Sequence, residues 1–238
     1  MNNLFDIDIY ADGAIIEDMI KAKNELNVKG FTTNPSLMKK AGITDYMKFA
    51  KAVLNNVEGM PISFEVFSDD FNTMKMEALK LSELGKNVFV KIPITNTKGE
   101  SSVPLIKELS ALGVAINVTA ILTVQQVKEV VPAFSDGTSN IVSVFAGRVA
   151  DTGVDPTELM RESVELIKNS KGDTKLLWAS CREVLNIKQA ADLGVDIITV
   201  TTPVLNKLSM VGEDLQKLSL ETVKGFNADV KDLGFSIV

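Results

Sequence analysis

The chain has 238 residues, 45% of them hydrophobic and 24% charged, with 25 Lys and Arg against 31 Asp and Glu for a net charge of −6. That length suits one α/β barrel or two small domains, and it buries enough surface to fold without a disulfide or a structural metal. With no histidine and a single cysteine, Cys181, the chain excludes His-based triads, His metal sites, internal disulfides and Cys-rich zinc sites, and no metal or cofactor is expected. Acid–base chemistry must then come from carboxylates, lysine, tyrosine or water. The basic residues are scattered, so neither nucleic acid nor an anionic membrane is expected as a partner. A small anionic substrate needs only two or three local positive groups. The stretch from Met1 to Tyr10 carries acids where a signal peptide is basic, and no apolar run is long enough to span a bilayer, which predicts a cytoplasmic protein.

Short runs rich in Val, Ile and Phe predict strands at residues 5–11, 28–32, 61–66, 87–92, 114–119, 141–145, 175–179 and 195–200. Segments of helical period lie between them. In the segment 74–84, Met76, Leu79 and Leu84 make the apolar side while Lys75, Glu77 and Lys80 face outward. Gly30, Gly85, Gly113 and Gly194 each follow a helical segment within a residue or two, at or just before a predicted strand, and are expected to stop that helix. Eight near-continuous apolar strands alternating with helices predict a parallel sheet covered on its outer face. Repeats of about 20–35 residues fit a single (β/α)8 TIM barrel spanning residues 1–238. An open doubly wound sheet is the alternative; it would be expected to bring a G-x-G-x-x-G turn, which is absent. The closing segment 212–233 is predicted to be one more amphipathic helix, through Leu215, Leu218, Val223, Phe226 and Val230. Its stripe is too apolar to remain in water, so it is expected to pack on the barrel or on a neighbouring subunit of a homo-oligomer.

Active sites of such barrels are built at the C-terminal ends of the strands. In chain order those positions hold Asp12; Thr32-Thr33-Asn34-Pro35-Ser36; Glu65; Lys91; Asn117 and Thr119; Ser143 and Arg148; Ser180 and Arg182; and, with no role assigned, Thr201 and Thr202. Alternation along Asn87-Val88-Phe89-Val90-Lys91-Ile92-Pro93 puts Phe89 and Lys91 on one face, and one face of a barrel strand points inward. A Schiff base requires a neutral amine, which burial and nearby positive charge both favour. The plainer reading of Lys91 is a lysine snorkelling at the rim. Asp12 and Glu65 are carboxylates on the same mouth, suited to acid–base work, or else a helix cap and a structural ion pair. Asn34, Asn117, Thr119 and Ser143 are cap and turn residues individually, yet together they make a polar mouth. Arg148, Ser180 and Arg182 suit a phosphate clamp of two forked donors and a hydroxyl, although each arginine alone reads as surface.

These residues resemble the transaldolase and fructose-6-phosphate aldolase family over nearly the whole chain. The segments that carry the resemblance are Asp12, Thr32-Thr33-Asn34-Pro35-Ser36, Val90-Lys91-Ile92-Pro93, Asn117-Val118-Thr119, Gly147-Arg148 and Ala179-Ser180 with Arg182. The resemblance implies a (β/α)8 barrel with Lys91 as the Schiff-base lysine and Asp12 as the acid–base group at the C4 hydroxyl. It implies that Thr33, Asn34, Asn117, Ser143 and Phe145 line the substrate, and that Arg148, Ser180 and Arg182 hold its phosphate. Two positions divide the family. The strand-three position is Glu in transaldolases and Gln in the aldolases, and is Glu65 here. Three residues before the strand-six arginine the aldolases carry Tyr; here it is Phe145, as in transaldolases. Glu65, with Thr119 relaying, would activate the water of Schiff-base formation. Two departures stand out: Cys181 replaces an aromatic after the serine, and Ala11-Asp12-Gly13 replaces Asp-Thr-Ala.

The implied activity is transfer of a dihydroxyacetone unit between sugar phosphates. The alternatives are an aldolase that releases dihydroxyacetone and a non-catalytic barrel that binds sugar phosphates.

Overall fold

The computed structural model describes residues 5–170 and 172–234. Of the acid-bearing stretch from Met1 to Tyr10, the part up to Leu4 lies outside the described residues. The strands are β1 (Asp8–Asp12), β2 (Gly30–Thr32), β3 (Ile62–Glu65), β4 (Val88–Pro93), β5 (Ile116–Ile121), β6 (Ser139–Val144), β7 (Asp173–Trp178) and β8 (Ile197–Thr201). They are parallel, follow one another in sequence order, and close into a barrel by pairing β8 with β1. Each predicted strand overlaps one of these, so the fold is the expected (β/α)8 barrel. The helices are α1 (Ile16–Glu25), α2 (Pro35–Lys40), α3 (Tyr46–Val57), α4 (Phe71–Ser82), α5 (Val103–Ala111), α6 (Val124–Val130), α7 (Ala146–Ala150), α8 (Thr157–Lys168), α9 (Val184–Asp192), α10 (Thr202–Leu205) and α11 (Leu215–Leu233).

The helix starts follow from capping chemistry. Asp45, Asp70 and Asp214 accept from the backbone amides of Lys48, Thr73 and Lys217, and Thr123 makes a capping box with Gln126. Gly113 and Gly194 stop α5 and α9 at φ +81° and +74°, as expected. Gly30 does something else. It opens β2, and a Cβ there would stand 2.6 Å from the Tyr10 ring, so glycine lets the barrel close over a buried tyrosine. The left-handed turn after α1 falls to Asn27 (φ 52°) instead. Gly85 likewise has no left-handed φ, its Cβ position being crowded at 2.8 Å by the Asn87 side chain. In α4 the buried side is Met74, Ala78 and Leu81, while Met76 is exposed, correcting the expected face of that helix.

The strands read as unbroken apolar runs because both their faces are covered. Phe31, Ile62, Phe64, Val88, Val90, Ile116, Val118, Val142, Trp178 and Ile198 are fully buried, each contributing about 1.5–3 kcal/mol of burial. Inside the barrel, Tyr10, Ile141, Leu177, Ala179 and Ile197 form an apolar plug, with Phe89 and Phe145 packed against it. Polar side chains therefore accumulate above this plug, at the strand C-termini.

The chain falls into two compact units, up to Leu205 and from Asn206 onward. The second holds the short turn Asn206–Met210 and α11, which begins behind the Asp214 cap rather than at residue 212. Leu215, Val223, Phe226 and Val230 on the predicted stripe are exposed, and Leu218 is half-buried. Among the described residues no helix is long and apolar enough to cross a membrane.

Candidate active site

Strand register decides which polar side chains meet. Glu65 of β3 pairs with Lys91 of β4, and Lys91 with Asn117 of β5. Lys91 is only 6% exposed, enclosed rather than extended to the rim. Its Nζ lies 3.3 Å from Glu65 Oε2 and donates to the Thr33 carbonyl at 3.1 Å.

Asp12 ends β1 opposite Thr32 of β2. Thr32 Oγ1 donates to Asp12 Oδ1 at 2.7 Å and lies 2.5 Å from Thr199 Oγ1 of β8. Burial pushes the Asp12 carboxyl above the usual range, while the Lys91 charge and the Thr32 hydrogen bond pull it back. Burial raises Glu65 as well; Lys91 opposes that, by charge and by hydrogen bond, and the nearby Asp12 reinforces it. Both carboxyls therefore hold protons to higher pH than exposed acids do, which suits exchange of protons near neutrality. Tyr46 of α3 donates from its phenol to the Glu65 carbonyl at 2.9 Å and stacks on Phe67 at 4.5 Å between ring centroids, fixing the strand end that carries the glutamate.

A chain of side-chain hydrogen bonds runs beside the lysine, from β6 through β5 to β3. Ser143 Oγ donates to Asn117 Oδ1 at 2.6 Å, and Asn117 Nδ2 donates to Ser63 Oγ at 2.9 Å. Asn117 is thereby locked with its amide plane defined. Thr119 follows on β5, where the register to β6 shifts between Val118 and Ile121 and Ala120 takes a left-handed φ of 61°. Such a bulge re-aims a side chain. Thr119 is buried, and among the described residues its hydroxyl has no hydrogen-bond partner.

Two other expected residues turn to structural duties within the free chain. Asn34 caps α2, accepting from Leu37 N at 2.9 Å, and the Thr33 hydroxyl donates to the Ser63 carbonyl at 3.0 Å. Thr33 meets the lysine through its carbonyl instead.

The arginine side lies on the loops after β6 and β7. Phe145 precedes α7, and the Arg148 guanidinium sits 5.2 Å from its ring centroid. Arg182 is held by Asp151, with Nε 3.2 Å from Oδ1 and a second contact at 2.5 Å to Oδ2. Ser180 adopts a left-handed φ of 61°. Gly147 N donates to the Ala179 carbonyl at 3.3 Å, and a Cβ on Gly147 would stand 1.7 Å from the Ser180 carbonyl oxygen. Only glycine permits that approach. The two loops of the expected clamp are thus in backbone contact. Cys181 is buried, its thiol pushed up to about 12 chiefly by burial, and its Sγ contacts the Glu183 carbonyl at 3.3 Å. It packs as a small apolar residue and does not face the mouth as a nucleophile.

Reading the sequence left Ser63, Thr199, Tyr46 and Asp151 without roles and gave Thr32 only a place in a motif. Thr199 shares the inward parity of Thr201 on the same strand, which was its one available signal. Among the described residues no cluster of three or more His, Cys, Asp or Glu is placed to hold a metal.

The profile of the Transaldolase/Fructose-6-phosphate aldolase family matches residues 9–237. The chain belongs to this family. A "probable transaldolase" of Clostridioides difficile is 36% identical over 224 residues, covering 94% of this chain and 95% of that protein. Another of Carboxydothermus hydrogenoformans is 35% identical over 202 residues, covering 85% and 90%. Among solved structures, dihydrodipicolinate synthase from Rhodopseudomonas palustris aligns with a TM-score of 0.51 at 12% identity over 92% of this chain and 79% of that one. At that identity the likeness concerns the barrel alone.

Proposed function

We propose that the chain is a transaldolase, moving a dihydroxyacetone unit from fructose 6-phosphate or sedoheptulose 7-phosphate to an aldose phosphate such as erythrose 4-phosphate. The observation that carries this reading is the buried Lys91 amine 3.3 Å from the Glu65 carboxyl. Lys91 passes a proton to Glu65 and adds to the C2 carbonyl of the donor. The carbinolamine hydroxyl leaves as water after taking a proton back from Glu65, with Thr119 holding the water that relays it. Asp12 then accepts the C4 hydroxyl proton, the C3–C4 bond breaks, and its electron pair flows into the iminium. The products are an enamine on Lys91 and a departing aldose phosphate. The acceptor aldehyde takes the enamine carbon, Asp12 returns its proton to the new alkoxide, and water hydrolyses the imine. Asn117 and Ser143 hold substrate hydroxyls, joined by Thr33, Asn34 and Phe145 around the sugar. Arg148, Ser180 and Arg182 bind the phosphate. Glu65 and Phe145, in place of glutamine and tyrosine, favour transfer over release of free dihydroxyacetone.

The test is borohydride reduction with fructose 6-phosphate followed by peptide mapping. A three-carbon adduct on Lys91 is expected, and a label on another lysine, or none on active enzyme, sinks the mechanism. We further propose a cytoplasmic homo-oligomer, supported by the exposed apolar residues of α11. Removing residues 212–238 should cost solubility or reduce the mass measured by light scattering; an equally active species of unchanged stoichiometry counts against it.

A further inference from the structure

We propose that Thr199 of β8 is a positioning residue for Asp12, acting through Thr32 as the far end of a two-hydroxyl chain that holds the carboxylate ready to accept a proton. The proposal rests on the reading of Asp12 as the base at the C4 hydroxyl.

Its direction follows from counting hydrogens. A threonine hydroxyl has one hydrogen to give. Thr32 gives its own to Asp12 Oδ1 at 2.7 Å. The 2.5 Å contact between Thr32 and Thr199 is therefore made with the Thr199 hydrogen. The chain runs from Thr199 to Thr32 to Asp12 while Asp12 is ionised. A hydroxyl that accepts a bond is polarised into a stronger donor, so Thr199 strengthens the bond that the carboxylate receives.

The setting argues against two hydroxyls that merely satisfy one another. Thr199 pairs in register with Tyr10, at the level of the apolar plug of Ile141, Leu177 and Ile197. A hydroxyl enclosed there is costly unless bonded, whereas valine has nearly the same shape and carries no such cost. Among the described residues the side-chain partner of Thr199 is Thr32, and that bond leads only to Asp12. The charged groups facing Asp12 are Lys91 from β4 and Glu65 from β3; its register neighbours on β2 and β8 are Thr32 and Thr201, which do not titrate. The hydroxyl chain is thus the contribution of the β2–β8 side to keeping Asp12 ionised, opposing the effect of burial.

The experiment is a pH titration of the full chain labelled with ¹³C at the aspartate carboxyls, with the Asp12 resonance assigned by Asp12→Asn. Thr32→Val should lower the Asp12 ionisation constant by at least about tenfold, as loss of a hydrogen bond to a charge implies. Thr199→Val, which leaves Thr32 in place, should lower it by about two- to fourfold. Thr199→Ser should restore the wild-type midpoint, and the acid limb of the pH profile of kcat should follow each variant. Should Thr199→Val fail to fold, Thr199→Ala serves in its place. A midpoint unmoved in the valine or alanine variant overturns the proposal, as does a serine variant shifted as far as valine. Rapid cleavage of fructose 6-phosphate by Asp12→Asn would instead overturn the assignment of the base, and the titration reads the chain independently of that outcome.

Discussion

The charged groups of the barrel mouth live in two settings. Asp12, Glu65 and Lys91 are enclosed on the β1–β4 side, where the Lys91 charge pulls both carboxyls down and Asp12 pushes Glu65 up. Arg148 and Arg182 stand in solvent on the loops after β6 and β7, one over a phenylalanine ring and one paired with Asp151, about half of each partner's side chain being exposed. An exposed pair of that kind contributes about 0–1 kcal/mol, so Arg182 can leave Asp151 at little cost, as the proposed phosphate role requires. The enclosed set has no such freedom: removing Lys91 leaves two buried carboxyls without their cation. Under the proposed function, chemistry belongs to the side where charges are coupled, and recruitment to the side where they are independent.

The sharpest way to break this contrast is Lys91→Met. Transfer should fall by at least about 10⁴-fold, since the covalent step has no substitute. With the lysine gone, the Asp12 and Glu65 carboxyls should both titrate higher still, because the charge that pulls them down is removed. Carboxyl ¹³C titration reads this directly, and unmoved midpoints would mean the set is not coupled. On the solvent side, Arg148→Ala and Arg182→Ala should each raise KM for phosphorylated substrates by about 10- to 100-fold with kcat nearly kept, while reactions of unphosphorylated dihydroxyacetone change little. Equal effects on both substrates would make the arginines structural.

A third test joins the two sides, since Glu65 is enclosed and Phe145 lies under Arg148. Glu65→Gln with Phe145→Tyr removes a carboxylate beside the lysine and adds a phenol able to protonate the enamine. Dihydroxyacetone release relative to sedoheptulose 7-phosphate formation, with erythrose 4-phosphate present, should rise at least about tenfold, or roughly 1.4 kcal/mol in relative barriers. If wild type already releases as fast as it transfers, the aldolase reading stands instead. The smallest expected effect is on stability. A carboxyl whose folded pKa is raised stabilises the fold below its ordinary pKa and loses that contribution as pH rises through the raised value. Asp12→Asn should therefore melt a few degrees above wild type at neutral pH, the gap closing in acid where wild type is also neutral. A variant that melts lower at neutral pH would show Asp12 to be a net structural asset.

These contrasts were unevenly legible in the residues. Strand order, the barrel and the inward position of Lys91 followed from hydrophobic runs and from alternation, because Lys91 is the one charged residue in the apolar run of β4. Thr199 and Ser63 were not visible, because their partners Thr32 and Asn117 lie 167 and 54 residues away and meet them only through barrel closure and register. The Asp151 grip on Arg182 spans 31 residues for the same reason. Glycines misled where packing governs them: Gly113 and Gly194 serve left-handed turns, whereas Gly30 is small because Tyr10 needs the room. Met76 was assigned by period alone, and its neighbours Met74, Ala78 and Leu81 already cover the strands beneath.

The plug of Tyr10, Ile141, Leu177 and Ile197 fills the barrel beneath its polar mouth, which is the doorway to Lys91 under the proposed chemistry. Under the proposed chemistry both sugars use that doorway and both depend on the same arginine loops, so the first aldose must depart before the second can dock. The order of events is thereby imposed by architecture: double-displacement kinetics, with parallel lines in double-reciprocal plots and mutual competition between departing and arriving aldoses. A second entrance at the floor of the barrel would have permitted both sugars to be held at once.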